Sequence, residues 1–293
     1  MMCYTDESRI TMGKSFTVYR PLECRPDNYR DWYQQGNIQR DRQYLKDALL
    51  SYEKALEYYP TDYWAWYKRG IILEELGNYE EAAASYGNAS TVSPKNYWAW
   101  YDQACICLED LKDYPKAIHC FDQALLAQPE DYWCAYRKGE AYRLMGNYEQ
   151  AIACYDQALA SRPGDYWSYY RRGDTFRSWG NQQEALLNYQ KALESKPRDY
   201  WAYYQLGMIF QAWQQWKEAI DCYENALKAE SRDHAAWYNL ASCQTIQGQT
   251  EGAIESLTRA VTLYPDKYRN LAQNEPLFEG LRQDPRIQEV LSA

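Results

Sequence analysis

Residues 63–96 read YWAWYKRGIILEELGNYEEAAASYGNASTVSPKN, and the two residues that open the stretch decide the fold. Tyr-Trp recurs at Tyr63-Trp64, Tyr97-Trp98, Tyr132-Trp133, Tyr166-Trp167 and Tyr200-Trp201, at spacings of 34, 35, 34 and 34 residues. A proline stands three residues before each copy, at Pro60, Pro94, Pro129, Pro163 and Pro197. Two weaker copies extend the array. One runs from Tyr29 to Asp62, with Trp32, Gly36, Ala48, Tyr52, Ala55 and Pro60; the other runs from His234 to Lys267, with Trp237, Ala241, Ala253, Leu257, Ala260 and Pro265. Self-similarity at a fixed period marks an array whose units bury their apolar faces only by stacking on one another.

The interior of the period has its own logic. With Tyr63 as position 1, the landmarks are Trp66 at 4, Gly70 at 8, Ala82 at 20, Tyr86 at 24, Ala89 at 27 and Pro94 at 32. Small residues return at Gly139, Gly173 and Gly207, at Ala151, Ala185 and Ala219, and at Ala158, Ala192 and Ala226. They allow two helices, and the next repeat, to approach closely. The aromatic at 24 fills the space between them, and proline ends the second helix because it has no N–H to donate. Gly77-Asn78, Gly146-Asn147 and Gly180-Asn181 mark the turns between first and second helices. This pattern resembles the tetratricopeptide repeat family over about residues 29–267. The resemblance implies an all-α, right-handed α-α superhelix of seven repeats, with the first helix of each repeat lining a concave face.

The ends differ. Leu271, Leu277, Phe278, Leu281, Ile287, Val290 and Leu291 give residues 268–293 a new amphipathic pattern, read as capping helices over the last repeat. Residues 1–28 match nothing and read as an arm without regular structure. The 35-residue spacing places one extra residue between Ala104 and Leu111. Set before Leu108, inside the first helix of repeat three, it predicts a π-bulge near Cys105–Leu108.

Composition narrows the function. A net charge of −9 repels phosphate backbones, which argues against a nucleic-acid partner. Nine cysteines, an odd number, recur at one repeat position (Cys120, Cys154, Cys222), as small buried hydrophobes do, and they point to a reducing cytoplasm. Cys105, Cys107, His119 and Cys120 do not have the spacing of a zinc site, so no metal is expected. No apolar run approaches the ~20 residues of a membrane span. There is no phosphate loop, nucleophile elbow or H-E-x-x-H, and His119 and His234, the two histidines, lie in unrelated repeats. The expectation is a protein that is not an enzyme and uses no cofactor.

What faces the implied groove is the most informative pattern. Positions 2, 5, 9 and 12 share one helical stripe. Position 2 is Trp64, Trp98, Trp133, Trp167 and Trp201; position 5 includes Tyr67, Tyr101, Tyr136, Tyr170 and Tyr204. Tyr and Trp, at 31 and 12 copies against five Phe, suit surfaces that are half buried and half wet. The polar members change from Glu74, Glu75, Glu109 and Asp110 to Arg143 and Arg177, each with an acid three residues before it, Glu140 and Asp174. Those pairs read either as i,i+3 salt bridges or as guanidinium groups for a partner's carboxylates. The aromatic ladder either rigidifies the stack or binds. The binding reading predicts a scaffold that holds a protein or peptide segment, centred on Trp98, Trp133 and Trp167. A self-associating subunit, or a groove for a glycan, are the alternatives. Family members that clamp chaperone tails use Lys at position 5; here that position is Tyr throughout and only Asn37 matches at position 9, so no such clamp is expected.

Overall fold

The computed structural model describes residues 8–11, 15–18 and 27–292. Thirteen- and fourteen-residue helices alternate through seven antiparallel pairs. The chain divides into two compact units, Met1–Pro129 and Glu130–Ala293.

The first unit holds a two-stranded antiparallel hairpin, β1 (Ser8–Thr11) with β2 (Ser15–Val18), in the register Ser8↔Val18 to Thr11↔Ser15. This corrects the reading of the arm as devoid of regular structure: Ile10, Thr11, Phe16, Thr17 and Val18 are strand formers, and a short hairpin needs no repeat pattern. The rest of residues 1–26 lie outside the described residues. Three helix pairs follow: α1 (Tyr29–Asp41) with α2 (Leu45–Tyr58), α3 (Tyr63–Glu75) with α4 (Tyr79–Val92), and α5 (Tyr97–Glu109) with α6 (Tyr114–Ala127). The second unit continues with α7 (Tyr132–Leu144), α8 (Tyr148–Ser161), α9 (Tyr166–Ser178), α10 (Gln182–Ser195), α11 (Tyr200–Ala212), α12 (Trp216–Ala229), α13 (His234–Ile246) and α14 (Thr250–Leu263). It ends in α15 (Pro265–Asn274), a 3₁₀ turn at Pro276–Leu281, and α16 (Pro285–Ser292). Phe278, Leu281 and Ile287 bury themselves against Ala253, Leu257 and Ala260 of the last repeat.

Each first helix starts on an Asp or Asn whose side chain accepts the amide of the third or second helical residue. Asp62 takes Ala65 N at 2.5 Å, Asp131 takes Cys134 N at 2.7 Å, Asp165 takes Ser168 N at 2.8 Å and Asn96 takes Trp98 N at 3.1 Å. Each first helix ends at a left-handed residue. Gly77, Gly146, Gly180 and Gly248 hold φ of 70° to 89° there, closed by bonds such as Asn78 N to Leu73 O at 2.8 Å. Gln43, Lys112 and Gln214 occupy the same place at φ of 62°, 55° and 59°. A side chain there costs ~1–2 kcal/mol, partly offset by the freedom glycine loses on folding. Gln214→Gly is therefore expected to stabilise the second unit by about 0.5–1 kcal/mol. Thermal melting checks this; an unchanged or lower midpoint contradicts it.

Glycine at position 8 is set by the ring at position 24. A Cβ on Gly70, Gly173 or Gly207 would stand 2.7–2.9 Å from Cε1 of Tyr86, Tyr189 or Tyr223. Where position 24 is Phe121 or Leu257, position 8 is Ala104 or Ala241.

The extra residue of repeat three lies elsewhere than the sequence reading put it. Helix α5 is regular α-helix through Glu109, the same thirteen residues as its counterparts. The i→i+5 bond, Leu111 N to Ile106 O at 3.0 Å, closes the helix C-terminus, and Asp113 N reaches Cys107 O at 2.8 Å. A widened terminal turn breaks no interior hydrogen bond, whereas a bulge inside the helix would. Position 12 of this repeat is consequently Leu108, which is buried, and Glu109 falls in register with Glu75.

Candidate functional site

The tryptophans at position 2 stand apart from the core. Trp64, Trp98, Trp133, Trp167 and Trp201 are 44–56% exposed, while positions 1 and 3 on either side are buried in most repeats. Each indole sits edge-on to the Tyr at position 1, with centroids 4.9–5.2 Å apart. Trp64, Trp133 and Trp167 also meet the Tyr at position 5 edge-on, at 5.9, 6.2 and 6.4 Å. T-shaped pairs of this kind fix orientation and leave one indole face outward.

The position-5 tyrosines are drawn into packing instead. Tyr170 is 7% exposed, and Tyr67, Tyr101, Tyr136 and Tyr204 are half-buried. Each stacks on its position-1 neighbour, as Tyr63 with Tyr67 (5.7 Å, 12°) and Tyr166 with Tyr170 (5.7 Å, 24°). Their hydroxyls bind position 6 of the next repeat. Tyr67 donates to Asp102 Oδ2, and the Asn239 amide donates to Tyr204 Oη at 3.2 Å. Burial, with the Glu74 charge nearby, pushes Asp102 up to about 6 against the pull of the Tyr67 hydroxyl. Position-1 hydroxyls do a similar job: Tyr132 donates to Asp165 at 2.6 Å and Tyr166 to Asp199 at 2.5 Å. One aspartate thus caps its own helix and ties it to the repeat before. The sequence reading missed positions 1 and 3 as core; the recurrent Asp-Tyr before Trp was the available signal.

The polar stripe is mostly committed as well. The buried position-24 tyrosines need acceptors, and positions 9 and 12 supply them. Tyr86 donates to Glu74 at 2.9 Å, Tyr189 to Asp174 at 2.8 Å, Tyr223 to Gln211 at 2.7 Å, and Tyr155 to Glu140. Phe121, with no hydroxyl, faces a repeat whose positions 9 and 12 are Cys105 and Leu108. Arg143 Nη2 pairs with Glu140 Oε2 at 2.9 Å, as the i,i+3 spacing predicted. The second predicted pair does not form. Asp174 binds Arg171 Nη1 at 3.2 Å, and Arg171 also stands 3.6 Å from Glu140. Arg171 at position 6 lies between Glu140 of the preceding repeat and Asp174 of its own helix, whereas Arg177 lies exposed in the last turn of α9 and has no ion pair among the described residues. Burial alone would raise Glu140; Arg143, Arg171 and the Tyr155 hydroxyl hold it below the usual carboxylate range.

Two further cations belong to this surface. The Arg162 guanidinium lies 4.2 Å from the Tyr132 ring centre and 5.6 Å from that of Trp133. Lys196 Nζ lies 4.1 Å from Tyr166 and 4.7 Å from Trp167. Both residues immediately precede the repeat's proline, a signal present in the sequence and overlooked.

Among the described residues no three His, Cys, Asp or Glu are grouped to hold a metal, and no helix is long and apolar enough to cross a membrane. Cys120 is buried, its Sγ 3.4 Å from Gln103 Oε1, and burial pushes its thiol up to about 12.

Profiles of the tetratricopeptide repeat match residues 51–84, 73–131, 131–198 and 204–268. No curated protein sequence matches the chain. Similar solved structures include the C-terminal part of a TPR repeat-containing protein from Cytophaga hutchinsonii (TM-score 0.69, 16% identity, covering 85% of this chain and 99% of that one). A tetratricopeptide repeat protein from Parabacteroides merdae gives 0.57 and 19%, covering 90% and 97%. YrrB, described as a TPR protein with an unusual peptide-binding site, gives 0.54 and 20%, covering 65% and 99%. At these identities the likeness speaks for the fold, which is an all-α solenoid of this type. The profiles and the seven in-register helix pairs agree: the chain belongs to the tetratricopeptide repeat family.

Proposed function

We propose that this protein is an interaction scaffold, not an enzyme, and that it seats a partner protein's segment against the position-2 tryptophans. The observation that carries the reading is their half exposure on rings already fixed in place. Pre-oriented aromatics lose little entropy on binding and are the residues enriched at interface hot spots. In the second unit Trp133, Trp167 and Trp201 form the surface, and Arg162 and Lys196 lie beside two of them. Arg177 adds an unpaired charge. Rings edged with cations suit a segment that alternates apolar and acidic residues. Trp64 and Trp98 offer the same chemistry in the first unit. Arg143 and the position-5 tyrosines, which the sequence placed in the site, support it from behind through the pairs described above. YrrB, described as having an unusual peptide-binding site, makes a peptide ligand a natural expectation for this fold. Of the seven cysteines among the described residues six are buried, which fits the cytoplasm as the working compartment.

The test is selection of displayed random peptides on the intact chain. Sequences enriched on the natural protein are expected to vanish when Trp133, Trp167 and Trp201 are all alanine. Equal enrichment on the triple variant, shown to be folded by circular dichroism, would sink the reading.

A further inference from the structure

A second pair of exposed tryptophans lies away from position 2. Trp179 and Trp213 follow the last residues of α9 and α11, at position 14 of repeats five and six. The equivalent places in repeats one, two, four and seven hold Arg42, Leu76, Met145 and Gln247. Neither ring fills the core: Trp179 is 53% exposed and Trp213 36%. Trp213 meets Phe210 edge-on, with centroids 6.2 Å apart, yet more than a third of each residue's surface stays open to solvent.

Both residues line one shallow cleft of about 500 Å³ with Gly180, Asn181, Gln182 and Gln183. That is within the size range of small-ligand sites. Its chemistry is narrow: two indoles, three side-chain amides and no charged group. Asn181 uses its carbonyl oxygen on Glu184 N at 3.1 Å, which leaves its NH₂ as a donor. The Gln182 and Gln183 side chains make no hydrogen bond among the described residues, so each presents a donor and an acceptor side by side. Gly180, at φ 89°, brings no side chain into the space. The sequence carries the pattern as Trp179-Gly180-Asn181-Gln182-Gln183 and Trp213-Gln214-Gln215.

We propose that this cleft is a binding site for a neutral saccharide, with Trp179 and Trp213 as stacking platforms and the three amides as partners for hydroxyl groups. A pyranose has an apolar C–H face and a rim of vicinal hydroxyls. The electron-rich indole face meets the polarised C–H bonds. Adjacent hydroxyls, each both donor and acceptor, match side-chain amides and need no charge. No lysine or arginine lines the cleft to pair with a carboxylate or phosphate. A proline-rich segment would use the rings but leave three amides with a single backbone acceptor per residue to satisfy.

The site is independent of the position-2 surface, so its test can fail without touching the scaffold reading. The probes are the linear hexaoses of β-1,4-glucose, α-1,4-glucose, β-1,4-mannose and β-1,4-N-acetylglucosamine, with decaproline as the competitor class. Calorimetry and tryptophan fluorescence are read on the full chain. At least one hexaose is expected to bind, and Trp179→Ala and Trp213→Ala are each expected to weaken it ~tenfold or more. Gln183→Ala should weaken it less, and Tyr44→Ala, an exposed aromatic in the first unit, should leave it unchanged. Both tryptophans are exposed, so the variants should keep the natural circular dichroism spectrum. The proposal is overturned if no hexaose binds at millimolar concentration, if binding survives both tryptophan changes, or if decaproline binds the cleft and the hexaoses do not.

Discussion

Replacing Glu140 with alanine is expected to destabilise the second unit by about 3 kcal/mol, as breaking a buried ion pair from one side does. The side chain is 14% exposed and serves three partners at once: Arg143, Arg171 and the Tyr155 hydroxyl. Its loss strands the Arg143 guanidinium at 21% exposure, removes one of the two carboxylates that meet Arg171, and leaves the fully buried Tyr155 without its acceptor. For a unit of this size the melting midpoint should fall by roughly 6–12 °C. The pH dependence follows the same logic. The Glu140 carboxyl is held below its ordinary range in the folded state. Its contribution is therefore present above the pKa of an unfolded glutamate and disappears as pH falls through the lower folded value. The Ala variant should lose less stability on acidification than the natural protein. Equal melting of the two proteins at neutral pH would show that the network is ornamental.

Trp133→Ala is the second large effect, and it separates binding from packing. Affinity for a peptide selected on the intact chain should fall by about 2 kcal/mol or more, close to thirtyfold. Stability should fall by only ~1 kcal/mol, the worth of an edge-on aromatic contact, because the ring is 45% exposed and fills no cavity. Trp66→Ala provides the contrast. Its indole donates to Pro60 O at 2.7 Å, so its removal should cost stability and leave affinity nearly untouched. A Trp133 variant with a sharply lower midpoint and full affinity would make the ladder a packing device.

The repeat, its helix boundaries and its small residues were legible because each is a local requirement repeated seven times. Gly at position 8 answers a tyrosine ring sixteen residues on, and Asp or Asn at the head of each first helix caps it. What lay beyond reach was allocation between repeats. Asp174 sits three before Arg177, yet it pairs with Arg171, because Arg171 faces the neighbouring repeat and is held there by Glu140. The position-5 tyrosines looked like groove rings by helical phase alone, and only the next repeat's position 6 shows where their hydroxyls go. The insertion in repeat three was correctly confined between Ala104 and Leu111. Sequence spacing alone does not say that a terminal turn absorbs a residue more cheaply than a helix interior. Arg162 and Lys196 stand one residue before each proline, at the end of the second helix, outside the first-helix stripe that helical phase marks as groove.

The central claim is that the position-2 tryptophans are surplus to the core and form the surface a partner touches. The most direct measurement is the set of indole N–H resonances in ¹⁵N-labelled protein, assigned by single substitutions and followed as a selected peptide is added. The account predicts that Trp133, Trp167 and Trp201 shift. It predicts that Trp66, Trp100 and Trp237, whose indoles donate to Pro60, Pro94 and Ser231 carbonyls, stay where they are. A bound peptide that leaves the three position-2 signals unmoved would contradict it.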